Sequence, residues 1–210
     1  MYIGRIVAVG RTRAGANAAL YRVSSRSFPN RRAVEYPTRV AVTPLEGHER
    51  DLLSNPYIAY NALRLVGGWA VASNGAHTDP IAEKIEAGLP ARDALAQTLL
   101  AMDYEKDEYN TPRIAAAVPP RGDTAWLGIV RSDALVVKAV PLVAGHAVYL
   151  ATYEADDVRD SQSSVFDAVT AAEAARFMMD GGAFQELERP VVSAAALAVE
   201  GGFKLGSYTV

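Results

Sequence analysis

Residues 101–113, AMDYEKDEYNTPR, gather four carboxylates, two tyrosines, a lysine and an arginine into thirteen positions. A carboxylate accepts a proton, a phenol donates one and an ammonium offsets negative charge, so the stretch holds the parts of an acid–base site. Spacing decides whether they can act together. On a continuing helix successive residues turn by roughly 100°, so Asp103, Tyr104, Glu105 and Lys106 would not face one place. Asp103 and Lys106 would then be an ordinary i, i+3 surface pair. The stretch is a candidate site if the helix before it ends near Met102 and the chain unwinds.

A second polar cluster, YRVSSRSFPNRR at residues 21–32, sets four arginines among serines directly after a strand-like run. The planar guanidinium fork matches phosphate and carboxylate oxygens, and serine hydroxyls complete such a cradle. The same composition also suits a solvated surface loop. NPYIAYN adds Tyr57, Tyr60 and Asn61, and SNGAHTD adds Asn74 and His77. Taken singly, such residues are more often structural.

Other chemistries are excluded. The 210 residues include no cysteine, which removes disulfides, thiolate metal sites and a cysteine nucleophile. His48, His77 and His146 are far apart in sequence, and no GxxxxGK[ST], strand-linked GxGxxG or GxSxG motif occurs. RGD at 121–123 reads as a turn. A net charge of −3 argues against a nucleic-acid binder but leaves room for a small phosphorylated ligand in a local positive pocket. No uncharged run reaches the ~18 residues of a membrane span, and the N-terminus does not read as a signal peptide. A cytoplasmic protein without membrane or nucleic-acid partners is expected.

The elements that must hold these residues read as follows. YIGRIVAVG, AALYRVSS and TRVAVTPL are strand-like, and YIAYNALRLVG and GWAVASNG meet at Gly67-Gly68, which suits a tight hairpin. A helix is expected near 79–87, with Asp79 as N-cap, Pro80 in the first turn and Gly88 closing it. A second helix from about Pro90 places Leu95, Leu99 and Met102 on one stripe. RIAAAV, AWLGIV, ALVVKAV and AVYLATYE are further strands. Thr170 and Glu173 form a capping box ahead of a helix stopped by Gly181-Gly182, and PVVSAAALA reads as a short final helix. Half the residues are hydrophobic and 21% are charged, with no repeat and no linker, so one domain over 1–210 is expected. Clustered hairpins and grouped helices indicate α+β with antiparallel sheets.

Taken in order, YRVSSRSFPNR, LEGHERD, NPYIAYN, SNGAHTD and AMDYEKDEYNTPRIAA resemble the archaeal-type IMP cyclohydrolase family, densely over residues 1–118 and more loosely after. The resemblance implies a four-layer αββα sandwich similar to the N-terminal-nucleophile (Ntn) hydrolase fold but without its catalytic N-terminus, and the start Met1-Tyr2 supplies no nucleophile. It implies ring closure of 5-formamidoimidazole-4-carboxamide ribotide to IMP with loss of water, in purine biosynthesis. It also implies no metal or other cofactor, a purine ribotide as the small-molecule partner, and a homo-oligomer. The residues it marks are Tyr60, Tyr104, Glu105 and Lys106 for catalysis and Arg22, Arg26, Asn61, Asn74 and Asp103 for substrate binding. In the roles expected here, Arg22 and Arg26 hold the phosphate or polarise carbonyls, and Glu105 helps remove the amide proton or orients the carboxamide. Tyr60 and Tyr104 donate to the formyl oxygen, Lys106 offsets its charge, and Asn61 and Asn74 position amide or ribose groups. A non-catalytic purine-nucleotide-binding protein, an enzyme on another purine-pathway ribotide and an Ntn-type amidohydrolase are the alternatives. The last is disfavoured by Met1-Tyr2.

Overall fold

In the computed structural model, which describes residues 1–159 and 161–210, the chain opens with strands β1 (Arg5–Arg11), β2 (Asn17–Ser24), β3 (Arg31–Tyr36) and β4 (Arg39–Pro44). A one-turn helix α1 (Asp51–Ser54) precedes β5 (Tyr60–Val66) and β6 (Trp69–Ser73). Helices α2 (Thr78–Glu86) and α3 (Ala91–Met102) follow, then β7 (Arg113–Val118), β8 (Thr124–Arg131), β9 (Ala134–Pro141), β10 (His146–Ala151) and β11 (Ser163–Val165). Helix α4 (Ala171–Asp180) leads to β12 (Pro190–Val199) and β13 (Gly202–Thr209).

The strands form two antiparallel sheets. One runs β11-β10-β1-β2-β12-β13, the other β3-β4-β5-β6-β7-β8-β9. Period-2 alternation sends each strand's side chains to two faces. On β1, Val7 and Val9 join the core between the sheets, while Ile6 and Ala8 join a core beneath α4. On β7, Ile114 and Ala116 face the other sheet, while Ala115 and Ala117 face α2 and α3. Three apolar layers therefore separate four layers of structure, giving the αββα sandwich expected from the resemblance.

Several local signals hold. Gly67 and Gly68 take φ of 52° and 81° and close the β5–β6 hairpin with Val66 opposite Trp69. Leu95 and Leu99 are buried on one stripe of α3. A Cβ on Gly128 of β8 would stand 2.8 Å from Leu99 Cδ1, so the glycine lets helix and sheet approach closely. Thr170 and Glu173 make the reciprocal capping box of α4.

Two expectations fail. The helix predicted with Asp79 as N-cap begins at Thr78 with His77 at the cap making no side-chain bond; Asp79 lies in the first turn, and its carboxylate accepts from Asn61 and Arg64 of β5. PVVSAAALA is not a helix but most of strand β12. That strand lies between β2 and β13, with Ala194 and Ala196 toward the opposing sheet and Ala195 and Leu197 in the core under α4. A strand buried on both faces shows no polar alternation, and its alanines favour helix by propensity until pairing overrides it.

Candidate active site

The stretch 103–112 leaves the helix at once. Asp103 takes φ 55° and ψ −178°, a backbone state that non-glycine residues rarely adopt, and α3 stops there. Asp107 then organises the loop, accepting from the amides of Tyr109 and Thr111 and from the Thr111 hydroxyl. The Glu105 amide donates to the Thr111 carbonyl at 2.9 Å. Adjacent side chains part company as a result. Glu105 turns inward and is 1% exposed, while Lys106 is 59% exposed and pairs with Asp103 at 2.5 Å.

Glu105 ends between two arginines. Arg5 Nη2 of β1 lies 3.5 Å from Oε2, and Arg113 Nη1 of β7 lies 3.5 Å from Oε1. Burial raises the Glu105 pKa above the usual carboxylate value, with Arg5 and Arg113 opposing and Asp107 adding to the rise. Burial works against the Arg5 charge, but Glu105 and the neighbouring phenols outweigh it, so its pKa is raised. Beside them Tyr21 of β2 and Tyr60 of β5 share a 2.6 Å hydrogen bond across the two sheets, and burial together with Tyr60 pushes the Tyr21 phenol well up.

Arg5 also lines a cavity of about 90 Å³ between the sheets, together with Arg31, Ser24, Ser25, Asn55 and Tyr153. Arg31 is buried, and its pKa is lowered by that burial. Its Nε donates to the Phe28 carbonyl at 2.9 Å, while its Nη1 has no partner. The cavity meets an outer cleft of about 500 Å³ at Tyr2, Ser27, Tyr109 and Tyr153, with Arg26 on the cleft wall. A separate apolar hollow of about 320 Å³ near Val140, Leu142 and His146 has no fixed charge in its lining. The charged cavity and its cleft are therefore the better match for a phosphorylated, proton-exchanging ligand.

The sequence-expected residues divide on this geometry. Tyr60 and Glu105 stand beside Arg5, behind the cavity lining and not in it, and Arg26 stands at the outer cleft, its guanidinium 4.2 Å from the Tyr2 ring centroid and 3.3 Å from Glu188. Arg22 does not reach the cavity. As Tyr21 faces the other sheet, Arg22 points the opposite way and donates to the carbonyls of Met178, Met179, Phe184 and Leu187. Burial lowers its pKa to about 10. Asn61 faces α2 and donates to Asp79, and Asn74 bridges the Pro112 carbonyl and the Ile114 amide. Tyr104 carries the Lys106 ammonium 3.4 Å from its ring centroid, outside the cavity lining. Asp103 contributes its carbonyl, which accepts from Arg113 Nε at 2.8 Å.

The sequence reading missed Arg5 and Tyr153, and counted Arg113 and Arg31 only as members of their polar clusters. Arg5 and Arg113 had one usable signal, a charge set within or at the start of an apolar strand-like run, YIGRIVAVG and RIAAAV. Arg22 yields a direct prediction. Arg22→Met should lower stability by about 2–5 kcal/mol, since buried carbonyls left without a donor cost ~1–3 kcal/mol each. The surviving folded enzyme should keep its KM for a ribotide. A raised KM at unchanged melting temperature would return Arg22 to the binding site.

Comparison with known proteins gives the family. The family described as IMP cyclohydrolase-like protein matches residues 2–202. A protein of Methanococcus aeolicus named IMP cyclohydrolase is 47% identical over 208 residues, 99% of this chain and 100% of its own length. One of Methanococcus maripaludis with the same name is 49% identical over the same shares. One of Halobacterium salinarum, also so named, is 52% identical over 177 residues, 84% of this chain and 83% of its own.

Proposed function

The chain belongs to the IMP cyclohydrolase family, and from that premise we propose that it closes 5-formamidoimidazole-4-carboxamide ribotide to IMP with loss of water at the cavity between its sheets. The observation that carries this reading is a buried carboxylate flanked by cations, Glu105 between Arg5 and Arg113, next to a cavity where Arg31 offers an unpartnered donor.

The reaction needs three things. The carboxamide nitrogen must lose a proton as it attacks the formyl carbon, the formyl oxygen must be stabilised as it gains charge, and that oxygen must leave as water. In this reading Glu105 takes the amide proton, and its raised pKa makes it a stronger base than an exposed carboxylate. Arg31 and Arg5 meet the developing oxyanion in a site with little water, where fixed cations act most strongly. The C–N bond forms as the formyl oxygen becomes a hydroxyl. The former formamide nitrogen then gives up its hydrogen, and the hydroxyl departs as water with a second proton. Tyr60, hydrogen-bonded to Tyr21, and Tyr153, which lines the cavity, are the phenols beside Arg5 that can donate to the departing oxygen.

The outer cleft suits the other end of the ribotide. Arg26 and Ser27 line it, so a phosphate seated there leaves the imidazole pointing inward. The 3.5 Å contacts of Glu105 are long for charged pairs, and such contacts commonly tighten only when substrate binds. This reading keeps Arg26 and Glu105 in their expected roles and moves carbonyl polarisation from Arg22 to Arg31 and Arg5.

The test is an absorbance assay of the purified protein with the formamido ribotide, watching for IMP. Tight ribotide binding without turnover would instead support a nucleotide-binding module. Because guanidinium groups supply the positive charge in this scheme, dialysis against a chelator should leave the rate unchanged. Full loss restored by a single divalent metal would refute that part.

A further inference from the structure

We infer that Arg113 is a positioning residue for Glu105, clamping the carboxylate from the side of the sheet away from the cavity so that its other oxygen stays available to Arg5 and the substrate. The inference rests on the reading of Glu105 as the base.

Three observations carry it. First, the two arginines approach opposite oxygens of the same carboxylate, Arg113 at Oε1 and Arg5 at Oε2. Only Arg5 lines the cavity. Strand parity gives the reason. Val7 and Val9 place Arg5 on the inter-sheet face of β1, whereas Ala115 and Ala117 place Arg113 on the helix face of β7.

Second, Arg113 is itself held. Its Nε is fixed at 2.8 Å by the carbonyl of Asp103, the residue whose unusual backbone ends α3. One guanidinium thus ties the helix stop to the carboxylate two residues later.

Third, the space behind the pair is kept free of side chain. A methyl at Gly75 would stand 3.1 Å from Arg113 Nη1, 3.3 Å from His77 Nδ1 and 3.5 Å from Glu105 Oε1. His77 adds no competing cation there. Burial drives its pKa down to about 3, and its Nε2 is engaged with the Ile114 carbonyl at 2.9 Å. Its buried Nδ1 has no partner, so it faces this point as a neutral ring. The charged groups acting on Glu105 are accordingly Arg5 from β1, Arg113 from β7 and Asp107 from its own loop.

The test uses the acid limb of kcat/KM, which reports ionisation of the free enzyme's base. Arg113 lowers the Glu105 pKa, so removing its charge must raise that pKa and move the limb to higher pH. A cation 4–6 Å away shifts a carboxylate by ~1–3 units, so Arg113→Gln should move the limb up by about one unit or more. The kcat at neutral pH should fall by about tenfold, recover in part at high pH, and leave KM within about twofold of the parent. Arg113→Lys, which keeps a cation, should hold the limb near its original position.

A uniform loss at every pH with an unmoved limb would make Arg113 merely structural and overturn the inference. So would a rise in KM alone, which would put Arg113 on the substrate. Should Arg113→Gln not fold, Gly75→Ala carries the same test, because the methyl would crowd Arg113 Nη1 at 3.1 Å from beside the pair and push it off Oε1, and an unshifted limb there is equally fatal. Glu105→Gln in the same assay separates the two failures. An inactive Glu105→Gln with an unmoved Arg113→Gln limb sinks the positioning alone, whereas an active Glu105→Gln sinks the base reading beneath it.

Discussion

Glu105→Gln should fold and lose turnover, with kcat falling by the ~10²–10⁴-fold typical of a lost general base and KM changing far less. The amide is nearly isosteric with the carboxylate and can still accept a hydrogen bond from one guanidinium, but it cannot take a proton from the substrate. Removing the charge leaves Arg5 and Arg113 without their shared counterion, so some stability is lost as well. A loss of ~1–3 kcal/mol remains below the ~5–15 kcal/mol that holds a domain folded. Circular dichroism and a thermal melt alongside the kinetics separate inactivation from unfolding. Glu108→Gln, an exposed carboxylate three residues on, is the control and should leave the rate unchanged. If Glu105→Gln cyclises substrate as fast as the parent, proton abstraction at this residue is wrong, whatever the family.

Arg31→Met should be the second most damaging change. Arg31 is buried with one nitrogen fixed on the Phe28 carbonyl and another unpartnered at the cavity, an arrangement costly to maintain unless a ligand oxygen completes it. Deleting an oxyanion donor typically costs ~10²–10³-fold in kcat, and that range is expected here. Arg31→Lys should lose less. The ammonium retains the charge but cannot hold the Phe28 carbonyl and a substrate oxygen at the fixed angle of a guanidinium. The order parent, Lys, Met in kcat at similar KM supports an oxyanion role. Equal rates for parent and Met would remove Arg31 from the chemistry, and a loss confined to KM would make it a binding group.

Local sequence signals found much of the frame. Alternating apolar runs located most strands, Gly67-Gly68 marked a hairpin, and the Thr170–Glu173 box marked the start of α4, because each depends on residues within one turn or one strand. β12 escaped because pairing with β2 and β13 buries both its faces, and a run such as SAAALA carries no period to read. β3 escaped for a related reason, as its first residues, Arg31 and Arg32, look like the end of a polar loop.

The candidate site divides the same way. Sequence alone marked AMDYEKDEYNTPR as crowded with chemical groups and made its function conditional on the helix ending before Asp103, a condition met by the Asp103 backbone and the Asp107-capped loop. It could not choose among neighbouring side chains. Arg22 and Tyr21 are adjacent on β2, and period 2 dictates only that they face opposite ways. Which way leads to the cavity depends on the second sheet covering one face and α4 the other. Arg5, Glu105 and Arg113 are separated by up to 108 residues and meet only when β1 and β7 bring their first positions to one end of the sandwich. The sequence by itself therefore determined the chemical parts and the local elements that carry them. Only the tertiary structure decided which parts share a cavity, because side-chain direction is a local property and the identity of the facing layer is not.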